Sequence, residues 1–158
     1  IGSGNAGTGG AILLAERAKK IYLIDIAEKP LAEPIWLDRV KKNNKINLIL
    51  PNSITEIKGR DKVASMLLNK EYNNKKELKV DGVFIDIGSV PDKTLINQLK
   101  INTNKKGLIN VTPDMATNIP GLFAAGGVVD QPPLKQIVIS AAQGAMAAVS
   151  AYRYLNSL

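Results

Sequence analysis

The sequence of 158 residues predicts an α/β fold in which helices cover a mainly parallel sheet. Hydrophobic residues, chiefly Ala, Val, Ile and Leu, make up 45% of the chain and aromatic residues only 4%. That balance favours layers with aliphatic cores over an aromatic-rich β-sandwich. Short apolar runs also alternate with segments of helical periodicity, as in strands joined by helical crossovers.

In the first half of the chain, apolar stripes predict helices over 10–20, where basic residues load the C-terminal end, and over 33–43. The apolar run 46–50 is typical of a parallel strand with both faces covered. Strands are therefore expected at 21–26, 46–50, 53–58, 62–69 and 83–87, with the third and fourth antiparallel and a polar turn over 72–76.

The second half is expected to begin after a crossover at Pro91. It contains a short helical turn at 94–98, strands at 107–111 and 121–125, and a long Ala-rich helix over about 135–155. We therefore predict two domains, 1–88 and 89–158.

The absence of Cys and His limits the chemistry of the chain. It excludes a disulfide framework, a thiolate zinc site, a Cys nucleophile and any His-based triad. We predict no metal site and no catalytic side chain, so any reaction must depend on a cofactor.

The net charge of +7 comes from Lys residues spread along the chain among Asn residues. A solvated surface explains this spacing better than nucleic-acid binding, because no segment concentrates the charge and no aromatic residues interleave with it. No signal peptide and no apolar run of about 18 residues is present, so we expect a cytoplasmic protein without a membrane partner.

The strongest motif is the loop Gly2-Ser3-Gly4-Asn5-Ala6-Gly7, which matches G-x-G-x-x-G. The first glycine permits a tight turn, the second allows close approach of a pyrophosphate, and the third allows close helix–strand packing. Asp25 follows at the end of the next β run, where an acid binds an adenosine ribose. The sequence therefore predicts a Rossmann-like, three-layer dinucleotide-binding domain; a simple β-α-β connection is the alternative.

Asp25 favours NADH, because its charge would repel the 2′-phosphate of NADPH. Lys29 and Arg39 lie close enough in sequence to help hold that phosphate, although both are more simply explained as solvated surface residues. NADH is the favoured cofactor at this site.

Several segments, in order along nearly the whole chain, resemble the thioredoxin-reductase-like flavoproteins, a class II group of pyridine nucleotide-disulfide oxidoreductases that includes the flavoprotein subunit of alkyl hydroperoxide reductase. The Gly2–Gly7 loop is similar to the second Gly-rich loop of that family, and Ile24-Asp25-Ile26-Ala27-Glu28 to its NADH-preferring version of the strand end. Further similar segments are Phe84–Asp92, Ile119–Gly126, Lys135-Gln136-Ile137 and Gly144-Ala145.

The resemblance implies transfer of a hydride from NAD(P)H to FAD and then of electrons to a disulfide, in a partner such as thioredoxin or a peroxiredoxin-type protein. It implies a homodimer when intact, with 89–158 as the C-terminal part of a second, FAD-binding Rossmann-like domain. The nicotinamide dinucleotide would contact Gly2, Gly4, Asn5, Ala6, Gly7 and Asp25. The residues expected to border the flavin are Gly126, Lys135, Gln136 and Ile137, and Gly88 and Gly127 are further expected cofactor-binding residues.

The chain departs from the family pattern at Gly127, where relatives carry an Asp; Asp130 lies three residues further on. The FAD-binding Gly-rich loop and the Cys-x-x-Cys of the family would precede Ile1, so we expect a fragment without the N-terminal FAD half. Two alternatives stay open: a truncated or diverged dinucleotide-binding homologue without flavin or reductase activity, and a reductase of the same fold with a ferredoxin or small-thiol acceptor.

Overall fold

The computed structural model describes residues 1–131 and 134–158 of the chain. These residues form two compact units, Ile1–Gly88 and Ser89–Leu158. Each unit has its own cluster of buried aliphatic side chains. That each unit binds a dinucleotide stays a prediction.

The first unit opens with alternating helices and parallel strands. Its elements are α1 (Asn5–Leu14), β1 (Ile21–Ile24), α2 (Pro34–Lys42) and β2 (Ile46–Ile49). Strands β1 and β2 pair in parallel, with Ile21 opposite Ile46 and Ile24 opposite Ile49. The β1–α2–β2 segment is therefore the helical crossover unit that the sequence predicts.

A three-stranded antiparallel sheet completes the first unit. It consists of β3 (Ile54–Gly59), β4 (Val63–Tyr72) and β5 (Lys75–Lys79), in the spatial order β3-β4-β5. Strand β5 is absent from the sequence prediction, which places a polar turn over 72–76. The turn is confined to Asn73 and Asn74, both with positive φ, because the left-handed conformation at two adjacent residues suits a tight hairpin. The buried cluster joins both sheets through Ile24, Ile49, Met66, Leu68 and Leu78.

Helix α1 begins five residues before the predicted start at residue 10 and ends at Leu14 rather than at Lys20. Two glycines inside the helix, Gly9 and Gly10, have low intrinsic helix propensity and favour a later start. The close contact between α1 and the Gly2 backbone, described below, overrides this preference.

The predicted strand over 83–87 is wrong. The segment has no assigned strand, and Phe84 and Ile87 are 66% and 72% exposed. Its backbone bonds to Ile1, as the Asp86 N–H donates to the Ile1 carbonyl over 2.8 Å. Hydrogen bonding to a single residue does not establish a β-ladder. The apolar composition of the segment therefore predicts a strand that does not form.

The second unit contains α3 (Lys93–Gln98), a 3-10 turn at Gly126–Val128 and α4 (Ile137–Leu155). The Asp92 carboxylate caps α3 by accepting the Thr94 N–H over 2.8 Å. Helix α4 begins two residues after the predicted start, with Gln136 in the N-cap position. The buried cluster of this unit consists of Ile96, Ile109, Val111, Met115 and Val129.

The strands predicted at 107–111 and 121–125 are also wrong, because the structure contains only isolated bridges there. These join Thr103 to Ile109, Ile109 to Val129 and Ala116 to Phe123. Left-handed backbone at Gly107, Met115 and Gly121 turns the chain between or directly beside the paired residues, so no ladder extends. Within the described part of the chain, no helix has both the length and the apolar character needed to span a bilayer.

Candidate dinucleotide-binding site

The Gly2–Gly7 loop lies at the carboxyl end of β1. The Gly2 N–H donates to the carbonyl of Ile24, the last residue of that strand, over 2.8 Å. Helix α1 then starts directly after Gly4. In α/β sheets, ligands bind beyond the carboxyl ends of the strands, so the loop occupies the expected position for a dinucleotide.

The three motif glycines differ in what surrounds them. Gly2 has a φ of +105°, and a Cβ there would overlap the Asp86 carbonyl oxygen. A Cβ on Gly7 would overlap the Gly2 carbonyl oxygen, so this glycine allows α1 to pack against the loop. A Cβ on Gly4, by contrast, would meet no atom within 4 Å. Gly4 is therefore the glycine at which a ligand such as a pyrophosphate has room to approach the protein backbone.

The start of α1 supplies hydrogen-bond donors beside this open position. The first helical bond runs from the Thr8 N–H to the Gly4 carbonyl over 2.9 Å. The N–H groups of Asn5, Ala6 and Gly7 precede it, and such groups at a helix N-terminus have no intrahelical acceptor. Together with the helix dipole they favour an anionic ligand such as a pyrophosphate. The Asn5 side chain also accepts the Glu33 N–H over 2.8 Å, which ties the loop to the start of α2.

Asp25 follows β1 and is held by the same loop. Its Oδ2 accepts the Ser3 N–H over 2.6 Å and the Ser3 hydroxyl over 2.8 Å, and its Oδ1 accepts the Ala27 N–H over 3.0 Å. Partial burial alone would raise the pKa of Asp25, but the hydrogen bonds from Ala27, Ser3 and Ile26 outweigh it. The pKa of Asp25 is lowered, so the carboxylate carries its charge at neutral pH.

Ser3 occupies a variable position of the G-x-G-x-x-G motif, so the motif predicts no role for its side chain. Its side chain is fully buried, and its carbonyl accepts the Leu31 N–H over 3.1 Å. The buried Thr8 hydroxyl donates to the same carbonyl over 3.2 Å. The signal available in the sequence was the hydroxyl side chain inside the loop, 22 residues before an acid.

The two cations considered for a 2′-phosphate are placed differently from each other. The Arg39 guanidinium lies over the ring of Trp36, 5.4 Å from its centroid, which is a cation–π arrangement. Lys29 is exposed. Neither side chain contributes a hydrogen bond or ion pair to the loop among the contacts of the described residues.

In the second unit, Gly126, Gly127 and Lys135 lie in one region. Gly126 has a φ of +87°, and its N–H donates over 2.9 Å to the side-chain oxygen of Gln143 on α4. Lys135 donates to the Val129 carbonyl over 2.5 Å. Gln136 occupies the N-cap position of α4, and Ile137 is 89% exposed. Gly88 has a φ of +98° and ends the first unit.

Gln143 is a second residue absent from the sequence prediction. It is only 5% exposed, and besides accepting from Gly126 it donates to the Gln131 carbonyl. It therefore fixes both ends of the loop 126–131 against α4. A polar residue in an otherwise Ala-rich helix was the available signal.

Two observations concern the position where an Asp was expected. A side chain at Gly127 would meet no atom within 4 Å, so the site has room for a carboxylate that the chain lacks. Asp130 Oδ1 is buried without a hydrogen-bond partner among residues 1–131 and 134–158. Within the same residues, no group of three or more Asp or Glu side chains is placed to hold a metal ion.

Comparison with known proteins agrees with this geometry. Residues 1–149 match the family model described as pyridine nucleotide-disulphide oxidoreductase. The chain belongs to this family. Among its curated oxidoreductase relatives, a thioredoxin reductase of Buchnera aphidicola is 39% identical over an alignment that covers 100% of this chain and 52% of the relative. A component of the alkyl hydroperoxide reductase of Staphylococcus epidermidis is 34% identical over 98% of this chain and 30% of the relative.

Solved structures of the family have the same fold. Thioredoxin reductase from Lactococcus lactis superposes with a TM-score of 0.90 at 32% identity, covering 100% of this chain and 52% of that one. Thioredoxin reductase from T. acidophilum superposes with a TM-score of 0.88 at 31% identity, covering 99% of this chain and 51% of that one. The predicted family and the Rossmann-like α/β class are thereby confirmed. The chain spans about half the length of these thioredoxin reductases and less than a third of the alkyl hydroperoxide reductase relative.

Proposed function

We propose that the chain provides the NAD(P)H-binding domain and the C-terminal part of the FAD-binding domain of a thioredoxin-reductase-like oxidoreductase. The first unit, 1–88, would bind the nicotinamide dinucleotide, with NADH preferred, and the second, 89–158, would contribute to the flavin site. This function rests on the family membership and on one structural observation, the arrangement of the Gly2–Gly7 loop with Asp25.

The loop and Asp25 divide the binding of a dinucleotide between them. The pyrophosphate would approach at Gly4, where a Cβ would meet no atom within 4 Å, and would accept hydrogen bonds from the first N–H groups of α1. Asp25 would accept a ribose hydroxyl and repel a 2′-phosphate, since its pKa is lowered and its charge persists. The stacking of Arg39 on Trp36 supports NADH, because the guanidinium already has a partner within the chain.

The flavin side is supported by the features of the second unit. FAD, when bound, would accept a hydride from the nicotinamide and pass electrons to a disulfide. Gly126, Gly127, Lys135, Gln136 and Ile137 would border it, and the N-terminus of α4 would favour negative charge nearby. The Asp130 oxygen, which has no hydrogen-bond partner among the described residues, and the space at Gly127 support a polar ligand beside this loop.

The acceptor proposed is a disulfide in a partner of the thioredoxin or peroxiredoxin type, by analogy with relatives named thioredoxin reductase and alkyl hydroperoxide reductase. A homodimer and a cytoplasmic location complete the proposal. Analytical ultracentrifugation of the intact protein tests the dimer, and reduction of thioredoxin by NADH in its presence tests the acceptor.

A second candidate is a dinucleotide-binding homologue without flavin or turnover. The specific observation in its favour is Gly127, which leaves the loop without the carboxylate that the family resemblance implies at this position. The absorption spectrum of the purified protein separates the two candidates. Flavin bands at about 380 and 450 nm support the oxidoreductase, and a colourless protein that binds NADH supports the second candidate.

The proposed nucleotide site is tested by titrating NADH into the protein and into Gly4→Ala. The open space at Gly4 tolerates a methyl group in the free protein, but that methyl would occupy the path of the pyrophosphate. We expect an affinity loss of roughly tenfold or more with little change in unfolding free energy. Gly10→Ala, within α1, is the control, since a Cβ there also meets no atom within 4 Å. Equal affinity in both variants would contradict the site.

A further inference from the structure

Ser3 contacts Asp25 in a way that the bare loop motif does not require. Both bonds to Oδ2 come from this one residue, its N–H at 2.6 Å and its hydroxyl at 2.8 Å. A carboxylate oxygen accepts about two hydrogen bonds, so Oδ2 is saturated by Ser3. Oδ1 accepts the Ala27 N–H at 3.0 Å, and the Ile26 N–H is also directed at the carboxylate. In the proposed complex a ribose hydroxyl would be accepted by Oδ1, since Ser3 occupies Oδ2.

The hydroxyl of Ser3 therefore restricts the rotation of Asp25. Turning the carboxylate away from the loop would break both Oδ2 bonds and leave the buried Ser3 hydroxyl without its acceptor, which is costly. A 2′-phosphate could be accommodated next to Asp25 only by such a rotation, because like charges at close range repel. An immobilised carboxylate thus rejects the phosphate more strongly than a mobile one.

We propose that Ser3 is a specificity-determining residue, which selects NADH over NADPH by fixing the orientation of the Asp25 carboxylate. This inference rests on the proposed function, since it assumes that the loop binds a nicotinamide dinucleotide. Ser3 acts through Asp25 and is a positioning residue.

The variant Ser3→Ala isolates the hydroxyl. It keeps the Ser3 N–H bond to Asp25 and the Ser3 carbonyl, which accepts the Leu31 N–H at 3.1 Å. The longer contact of that N–H with the Ser3 hydroxyl, at 3.3 Å, is lost with the hydroxyl. Thr8→Val is the matched control. Thr8 is equally buried and also donates a hydroxyl within the loop, to the Ser3 carbonyl, but it does not contact Asp25.

The experiment measures the dissociation constants of NADH and NADPH for the wild type and each variant, after thermal melts show that all are folded. In Ser3→Ala the NADPH-to-NADH ratio of dissociation constants is expected to fall about threefold or more, the size of one modest hydrogen-bond effect. Thr8→Val is expected to leave the ratio at the wild-type value. An unchanged ratio in Ser3→Ala, or an equal fall in both variants, would overturn the inference.

A double-mutant cycle with Asp25→Asn separates positioning from general loosening of the loop. If Ser3 acts through the carboxylate, adding Ser3→Ala to Asp25→Asn leaves the selectivity ratio of Asp25→Asn unchanged. A further fall of the same size as in the wild-type background would show that Ser3 acts independently, and the inference would be wrong. Failure of the wild type to bind either nucleotide would instead refute the proposed function itself.

Discussion

At the level of single residues, the glycines of one loop have opposite tolerances for a side chain. Gly7→Ala places a methyl group on the Gly2 carbonyl oxygen, so the helix must shift away from the loop. We expect this variant to lose about 1–3 kcal/mol of unfolding free energy, as in other overpacked sites. Urea denaturation measures the loss. A stability equal to that of Gly4→Ala, where the methyl group enters open space, would contradict this packing role.

Asp25 links the loop to the pH dependence of stability. Its pKa is lowered in the folded chain, so folding is favoured above the unfolded value of about 3.9 and this contribution is lost as the pH falls through the lowered pKa. The difference in unfolding free energy between the wild type and Asp25→Asn should therefore be largest near neutral pH and shrink in acid. Denaturation curves from about pH 7 to pH 3 measure it. A constant difference would show that the charge of Asp25 is not stabilised by its donors.

At the level of elements, Gln143 connects α4 to the loop 126–131 through the Gly126 N–H and the Gln131 carbonyl. Gln143→Leu removes both bonds and leaves the part-buried Gly126 N–H without its acceptor, at an expected cost of about 1–3 kcal/mol. The control is Gln98→Leu on α3, where the same substitution occurs at an exposed position and should change stability by less than about 0.5 kcal/mol. Similar losses in the two variants would exclude a specific role for the Gln143 bonds.

The elements also show where local sequence signals are sufficient. Helix α2 and strands β1 and β2 form close to the predicted ranges, because their apolar periodicity and the pattern of buried residues agree. Strand β5 is not predicted from the sequence, because its Lys-rich residues have low β propensity. It forms because it pairs with β4 in the antiparallel sheet. The segment 83–87 gave the opposite error, since its apolar residues are mostly exposed and its backbone pairs with Ile1.

At the level of the whole molecule, the division into two units predicts a preferred site of proteolysis. The segment 83–90 joins them without a helix or strand, and Ile87 and Val90 are 72% and 86% exposed. Exposed segments between compact units are preferred cleavage sites. Limited proteolysis with a protease that cuts after apolar residues should first release fragments matching Ile1–Gly88 and Ser89–Leu158. First cleavage within α1 or β4 would contradict two independently compact units.

The sequence by itself determined the α/β class, the family and the position of the Gly-rich loop, because these depend on spacing and on residues whose conformational needs are local. For that reason the roles of Gly2, Gly7 and Asp25 can be predicted from the sequence motif alone. Only the tertiary structure decided which of these glycines exclude a side chain and which leaves room for a ligand. It also showed that Ser3 and Gln143 hold Asp25 and the loop 126–131, since each contact joins residues more than ten positions apart. Contacts of that kind depend on chain packing, which no local pattern in a single sequence encodes.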